Sequence, residues 1–167
     1  MRPVKLVGAM FLAMLLPAAS MSHQEPVEAH TWTAIDWPFP RDGWPAGRAF
    51  RCAPSSCDAP AILTLRVKLG MCNCDTGVRD DLEVDGLSDV DLVSSTFVPL
   101  APGTLFQVGA LRGRMREYEA VVDGTKKRLV GVVLSRGCDV VAASLVTSDR
   151  HRRDWAGDFT RLLQNLP

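Results

Sequence analysis

Residues 120–147 read AVVDGTKKRLVGVVLSRGCDVVAASLVT. Two turn signals, Asp123-Gly124-Thr125 and Arg136-Gly137, cut this stretch into runs dense in valine and leucine, and such short glycine-containing connections belong to β-hairpins. The spacing predicts consecutive strands over Leu105–Val122, Lys126–Ser135 and Cys138–Thr147, joined as an antiparallel meander. That meander predicts an antiparallel β-sheet, and with the helices expected on either side of it in the sequence the class is α+β, an antiparallel β-sheet flanked by helices.

Working outward, Ile62–Leu69 is the cleanest further strand. Leu63, Leu65, Val67 and Leu69 alternate with Thr64, Arg66 and Lys68, which predicts one buried face and one wet face. After it, Asp75 opens an acidic stretch (Asp80, Asp81, Glu83, Asp85) that suits the positive end of a helix starting near Thr76 and ending at Gly86. At the other end a helix is predicted from about Asp149. In it Trp155, Phe159, Leu162, Leu163 and Leu166 form the stripe of a helix laid on a sheet. Between Thr31 and Cys52, Trp32, Trp37, Phe39, Trp44 and Phe50 interleave with Pro and Gly, a pattern of short strands and tight turns. Those aromatics either pack on the core or form a sugar-binding platform; packing is the commoner fate.

The first 20 residues carry Arg2 and Lys5, an apolar run from Leu6 to Leu16, and then Pro17-Ala18-Ala19-Ser20. This is the pattern of a cleavable secretory signal, with cleavage expected after Ser20, because the run is well short of the roughly 20 residues needed to span a bilayer. Residues 21–30 lack an apolar period and are expected to be a flexible leader, leaving 31–167 as a single α+β domain. Export to the periplasm or beyond follows, and no transmembrane segment is expected in the mature chain. The full chain has 19 basic and 19 acidic residues; loss of Arg2 and Lys5 leaves the acids two in excess, which argues against nucleic acid as a partner.

In an oxidising compartment Cys52, Cys57, Cys72, Cys74 and Cys138 are disulfide candidates. Five cysteines admit many two-bond pairings and leave one thiol over. A Cys52–Cys57 bond would close a short loop, and Cys138 would then take one of Cys72 and Cys74. Alternatively Met71, Cys72 and Cys74 offer soft sulfur ligands for Cu(I), or the pair at 72 and 74 exchanges disulfides. Zinc is disfavoured by the spacing and by the absence of a second ligand pair. Asp81, Glu83, Asp85, Gly86 and Asp89 resemble the start of a calcium loop, yet Leu92 stands where the bidentate glutamate is required.

Arg112, Arg114 and Arg116 share one strand face, Lys126, Lys127 and Arg128 follow the next turn, and Arg150, His151, Arg152 and Arg153 open the last helix. They form either a solvated surface or a patch for an anionic partner. The sequence holds no Gly-x-Ser-x-Gly turn, no Gly-rich phosphate loop and no His-Glu-x-x-His helix, and His23, His30 and His151 have no evident nucleophile beside them.

The Phe39-Pro40 and Gly43-Trp44 opening, Arg116-Glu117-Tyr118 in a strand before the turn at Gly124, and the closing Phe159–Leu166 helix together resemble one family. It groups the photosystem II PsbP proteins, the Mog1 Ran-binding proteins and periplasmic relatives of the DcrB type. The resemblance spans roughly Trp32–Leu166 and implies an α/β/α sandwich and a non-catalytic binding or assembly role. The cysteines around Asn73 are outside that family's general pattern. The expected function is an exported, non-catalytic binding or assembly-accessory protein of the cell envelope. Its partner would be another envelope protein or an anionic surface, met through Trp37, Trp44, Arg112, Arg114 and Arg116. The alternative is a copper-binding or thiol-redox protein using Cys72 and Cys74.

Overall fold

The computed structural model describes residues 31–164 apart from 41, 58 and 149–154. The expected signal segment 1–20, the leader 21–30, and Arg150, His151, Arg152 and Arg153 lie outside the described residues.

Asp123 and Gly124 adopt positive φ, 51° and 71°, as the tight turn between β6 (Leu111–Val122) and β7 (Thr125–Arg136) requires. Gly137, φ 63°, turns β7 into β8 (Asp139–Thr147). These two hairpins run in the register Val122 to Thr125 and Arg136 to Asp139. The run from Leu105 to Val122 is two strands, not one. β5 (Thr104–Val108) folds back on β6 at Gly109, φ 58°, with Val108 opposite Leu111. No Asn-Gly or Asp-Gly pair stands at this turn, and Gly109 is its one local signal.

β1 (Trp32–Ile35), β2 (Arg48–Cys52), β3 (Ala61–Lys68) and β4 (Phe97–Pro99) complete one eight-stranded antiparallel sheet. Its order is β1-β2-β3-β8-β7-β6-β4, with β5 also pairing β6. The helices are short: α1 (Pro54–Cys57), α2 (Asp81–Leu87), α3 (Val90–Val93) and α4 (Trp155–Leu163). The described chain is therefore mostly β, with its helical residues distributed as small covers rather than continuous layers.

The period of two along the strands sorts the core into two faces. On one face Leu63, Leu65, Val130, Val132, Leu134 and Leu145 pack beneath Trp155, Phe159 and Leu163 of α4. Each such side chain contributes about 1.5–3 kcal/mol on burial. On the other face α2 places Val84 against Val133 and Val140, and α3 places Val90 against Tyr118, Ala120 and Leu129. This second cover corrects the expected wet face of β3. Thr64, Arg66 and Lys68 are only 2, 3 and 5 % exposed.

α2 starts five residues after Thr76. Asp80 caps it by accepting from the Glu83 N–H, and Glu83 reaches back to the Asp80 N–H, a reciprocal capping box. Residues 73–77 instead form a turn around Asn73, whose side chain accepts from the Asp75 and Thr76 N–H groups. Gly86 lies inside α2, and the helix ends at Leu87.

Candidate functional site

Three groups of polar residues occupy the α2–α3 face and its rim. The first is buried. Arg66 donates from Nε and Nη2 to both oxygens of Asp89, each at 2.7 Å, and from Nη1 and Nη2 to both oxygens of Asp42 at 2.9 and 2.5 Å. Lys68 Nζ stands 2.6 Å from Asp89 and donates to the Leu87 carbonyl at 3.0 Å. Arg66, Lys68 and Asp89 are buried, and Asp42 closes the cluster from its solvent-exposed edge; paired charges of this kind are what burial of the two cations demands. Asp89 holds φ 63° at the start of α3, a left-handed conformation that Asp tolerates better than most residues. Hydrogen bonding from Arg66 keeps the Asp42 carboxyl well below the usual carboxylate range.

Trp37 lies 5.4 Å over the Arg66 guanidinium and meets Phe39 edge-on. Gly47 allows this approach: a Cβ there would run into the Leu65 carbonyl, Arg66 Cβ and the Trp37 ring. Trp32 packs into the core on the α4 side instead. Trp32 and Trp37 therefore sit on opposite faces and do not make one aromatic platform. Trp44 is half-buried, its N–H donating to Asp42. The tryptophans marked for a partner thus belong, in the case of Trp37, to the cover of an internal ion cluster.

The second group is the arginine stripe, and here the expected cationic patch is largely neutralised from within. Arg114 donates to Asp81 at 2.7 Å and to the Gly103 carbonyl, while Arg116 grips both oxygens of Asp85 and stands 3.7 Å from Asp81. Tyr118, fully buried, donates to Asp85 at 2.7 Å; burial, and then that hydrogen bond to Asp85, push its phenol pKa well up. The Gly103 N–H and then Arg114 hold Asp81 below its ordinary value. Of the acids read as a calcium loop, Asp81, Glu83 and Asp85 are thus on α2 and Asp89 lies before α3 in the buried cluster; Asp81 and Asp85 face arginines on β6 and not a shared centre. Arg112, at the exposed end of the stripe, has no carboxylate within ion-pair distance among the described residues.

The third group surrounds a cleft of about 650 Å³ between the turn at 74–78 and the β5–β6 hairpin. Cys74, Gly77, Leu105, Gln107, Arg112 and Ser135 line it. Leu105 is 84 % exposed, an apolar side chain left at the mouth. Ser135 braces the far wall: its Oγ accepts from the Val78 N–H at 2.8 Å, and Gly77 leaves the room for it. Disulfides join Cys52 to Cys57 and Cys74 to Cys138, with Cα separations of 6.0 and 4.2 Å. Cys72 is free and half-buried, its Sγ 3.4 Å from Ser135 Oγ. Met71, next to it, is 40 % exposed.

The structure brings Arg112 and Cys74 to one cleft, sets Cys72 beside its Ser135 but outside its lining, and keeps Trp37, Trp44, Arg114 and Arg116 apart from it. Sequence reading missed the cleft because it depends on the β5–β6 turn; Gly109 was its one local signal. Nothing marked Ser135. No family model, curated protein or solved structure matches the chain.

Proposed function

We propose that the chain is an exported, non-catalytic binding protein of the cell envelope, and that it binds at the cleft between the 74–78 turn and the β5–β6 hairpin. The observation that carries this reading is Arg112. Of the three arginines on its strand face it alone lacks an internal carboxylate among the described residues, and it lines the cleft of about 650 Å³ beside an exposed leucine. An unpaired guanidinium next to apolar surface suits an acidic segment of another envelope protein. Two disulfides, and no helix among the described residues long and apolar enough to cross a membrane, are compatible with export. The short helices on both sheet faces are read here as a reduced form of the sandwich implied by the likeness to PsbP, Mog1 and DcrB proteins.

A photo-crosslinking residue at Leu105 tests the reading in cells of the source organism. Adducts to a defined envelope protein are expected from Leu105, lost on Arg112→Glu, and absent when the crosslinker sits at Leu82 on the exposed side of α2. Equal labelling from Leu82, or labelling indifferent to Arg112→Glu, would reject the cleft. Intact mass of the exported protein should begin at Met21; recovery of the chain inside the cell with its first 20 residues attached would reject export. The alternative based on Met71, Cys72 and Cys74 requires Cys74 to leave Cys138, since the bonded sulfur is neither a thiolate ligand nor a nucleophile.

A further inference from the structure

Cys138 sits in the two-residue turn between β7 and β8, and the segment carrying Cys72 and Cys74 passes directly beside it. Cys74 is bonded to it. The Cys72 N–H donates to the Cys138 carbonyl at 2.9 Å. With standard bond lengths on either side, that hydrogen bond holds the Cα atoms of Cys72 and Cys138 within about 6.8 Å. Disulfides span Cα separations of roughly 4.4–6.8 Å. The Cα spacing to one cysteine therefore permits a disulfide from either member of the Cys72-Asn73-Cys74 element, Cys72 needing only to turn its Sγ from Ser135, and the member left over keeps its thiol.

We propose that Cys72, Cys74 and Cys138 form a three-sulfur exchange centre in which Cys138 alternates its disulfide between Cys74 and Cys72. Cys72 gives its proton to solvent, and the thiolate attacks Sγ of Cys138. The Cys74–Cys138 bond breaks as the Cys72–Cys138 bond forms, and Cys74 leaves as a thiolate that takes up a proton. The number of disulfides is unchanged, and neither an oxidant nor a reductant is consumed. The 73–77 turn leaves Asn73 and Cys74 solvent-exposed, Cys72 is half-buried beside Ser135, and hydrogen bonds from Asp75, Thr76 and Gly77 close locally on Asn73. Exchange moves the anchor of this segment two residues along the chain. Because Cys74 lines the cleft and Cys72 does not, it also delivers a free thiol to the cleft wall. This activity stands independently of what the cleft binds.

The full exported chain is incubated without reductant in mildly alkaline buffer, treated with a thiol-alkylating reagent, and read by intact mass and by fragmentation of the peptide containing residues 72–74. In the wild-type protein one label per chain is expected, divided between Cys72 and Cys74. In Cys74→Ser the bond to Cys72 should form, so the protein takes up no label. Label confined to Cys72 in the wild type, or two labels on Cys74→Ser, would overturn the exchange. Should Cys74→Ser fail to fold, the wild-type label position decides alone.

Discussion

Arg66 is where local pattern and tertiary environment disagree most. By its place in an alternating strand it reads as a solvent-facing residue, and yet its side chain is 2 % exposed and held by two carboxylates from distant segments. Asp89 is the keystone, since it contacts both Arg66 and Lys68. Asp89→Asn keeps the shape and removes the charge, leaving two buried cations with only Asp42 between them. Destabilisation by roughly 3–5 kcal/mol is expected in urea unfolding, the penalty of breaking a buried pair by removing one partner. Lys126→Gln, which breaks the exposed pair to Glu119, should change the same measurement by less than about 1 kcal/mol. Asp42 adds a pH signature. Its pKa is lower folded than unfolded, so its contribution is complete above the unfolded value of about 3.9 and is lost as pH falls from there toward the folded one. The stability gap between wild type and Asp42→Asn should therefore stay level from neutral pH down to about 5 and narrow below about 4. A gap that narrows near neutral pH would point to another titrating group. No sequence rule links residues 42, 66 and 89. Their assembly depends on the loop before β2 and the turn before α3 arriving together, which is why the cluster was not legible.

At the level of elements, the meander and the strand at 62–69 were legible because period-two alternation and glycine turns are local signals. α2 was legible in kind but displaced in position. The acids from Asp75 onward suggested one long N-terminal turn, whereas Asn73 captures the Asp75 and Thr76 N–H groups and postpones the helix until the Asp80 cap. The arginines of β6 and the acids of α2 were both visible as separate charged faces. Their mutual pairing was not, since it requires α2 to lie across β6. That docking can be followed through Tyr118, the chain's one tyrosine, fully buried beneath Arg116 and bonded to Asp85. Burial raises its pKa in the folded state, so the folded protein retains the phenolic proton above about pH 10, where the unfolded chain gives it up. Stability therefore falls as pH rises beyond that point. In an alkaline titration phenolate absorbance should appear only together with loss of near-ultraviolet circular dichroism. Phenolate rising ahead of unfolding would mean that α2 does not seal the face of β6.

Across the whole molecule, the two disulfides do different work. Cys52–Cys57 closes a loop of five residues in sequence separation and constrains little beyond α1. Cys74–Cys138 spans a separation of 64 and ties the segment after β3 to the β7–β8 turn, crossing α2, α3 and four strands on the way. In the loop-closure account a bond of that span removes far more freedom from the unfolded chain. Cys138→Ser eliminates this bond and, with it, the substitute through Cys72, so it should lower unfolding stability by about 2–4 kcal/mol. Cys74→Ser should lose much less, because Cys72 can take its place. Reduction of the wild-type protein should bring its midpoint to that of Cys138→Ser within the smaller contribution of Cys52–Cys57. If Cys138→Ser and Cys74→Ser prove equally destabilised, Cys138 has one partner only, and the segment at 72–74 is a fixed staple whose free thiol plays no part in holding the sheet to its cover.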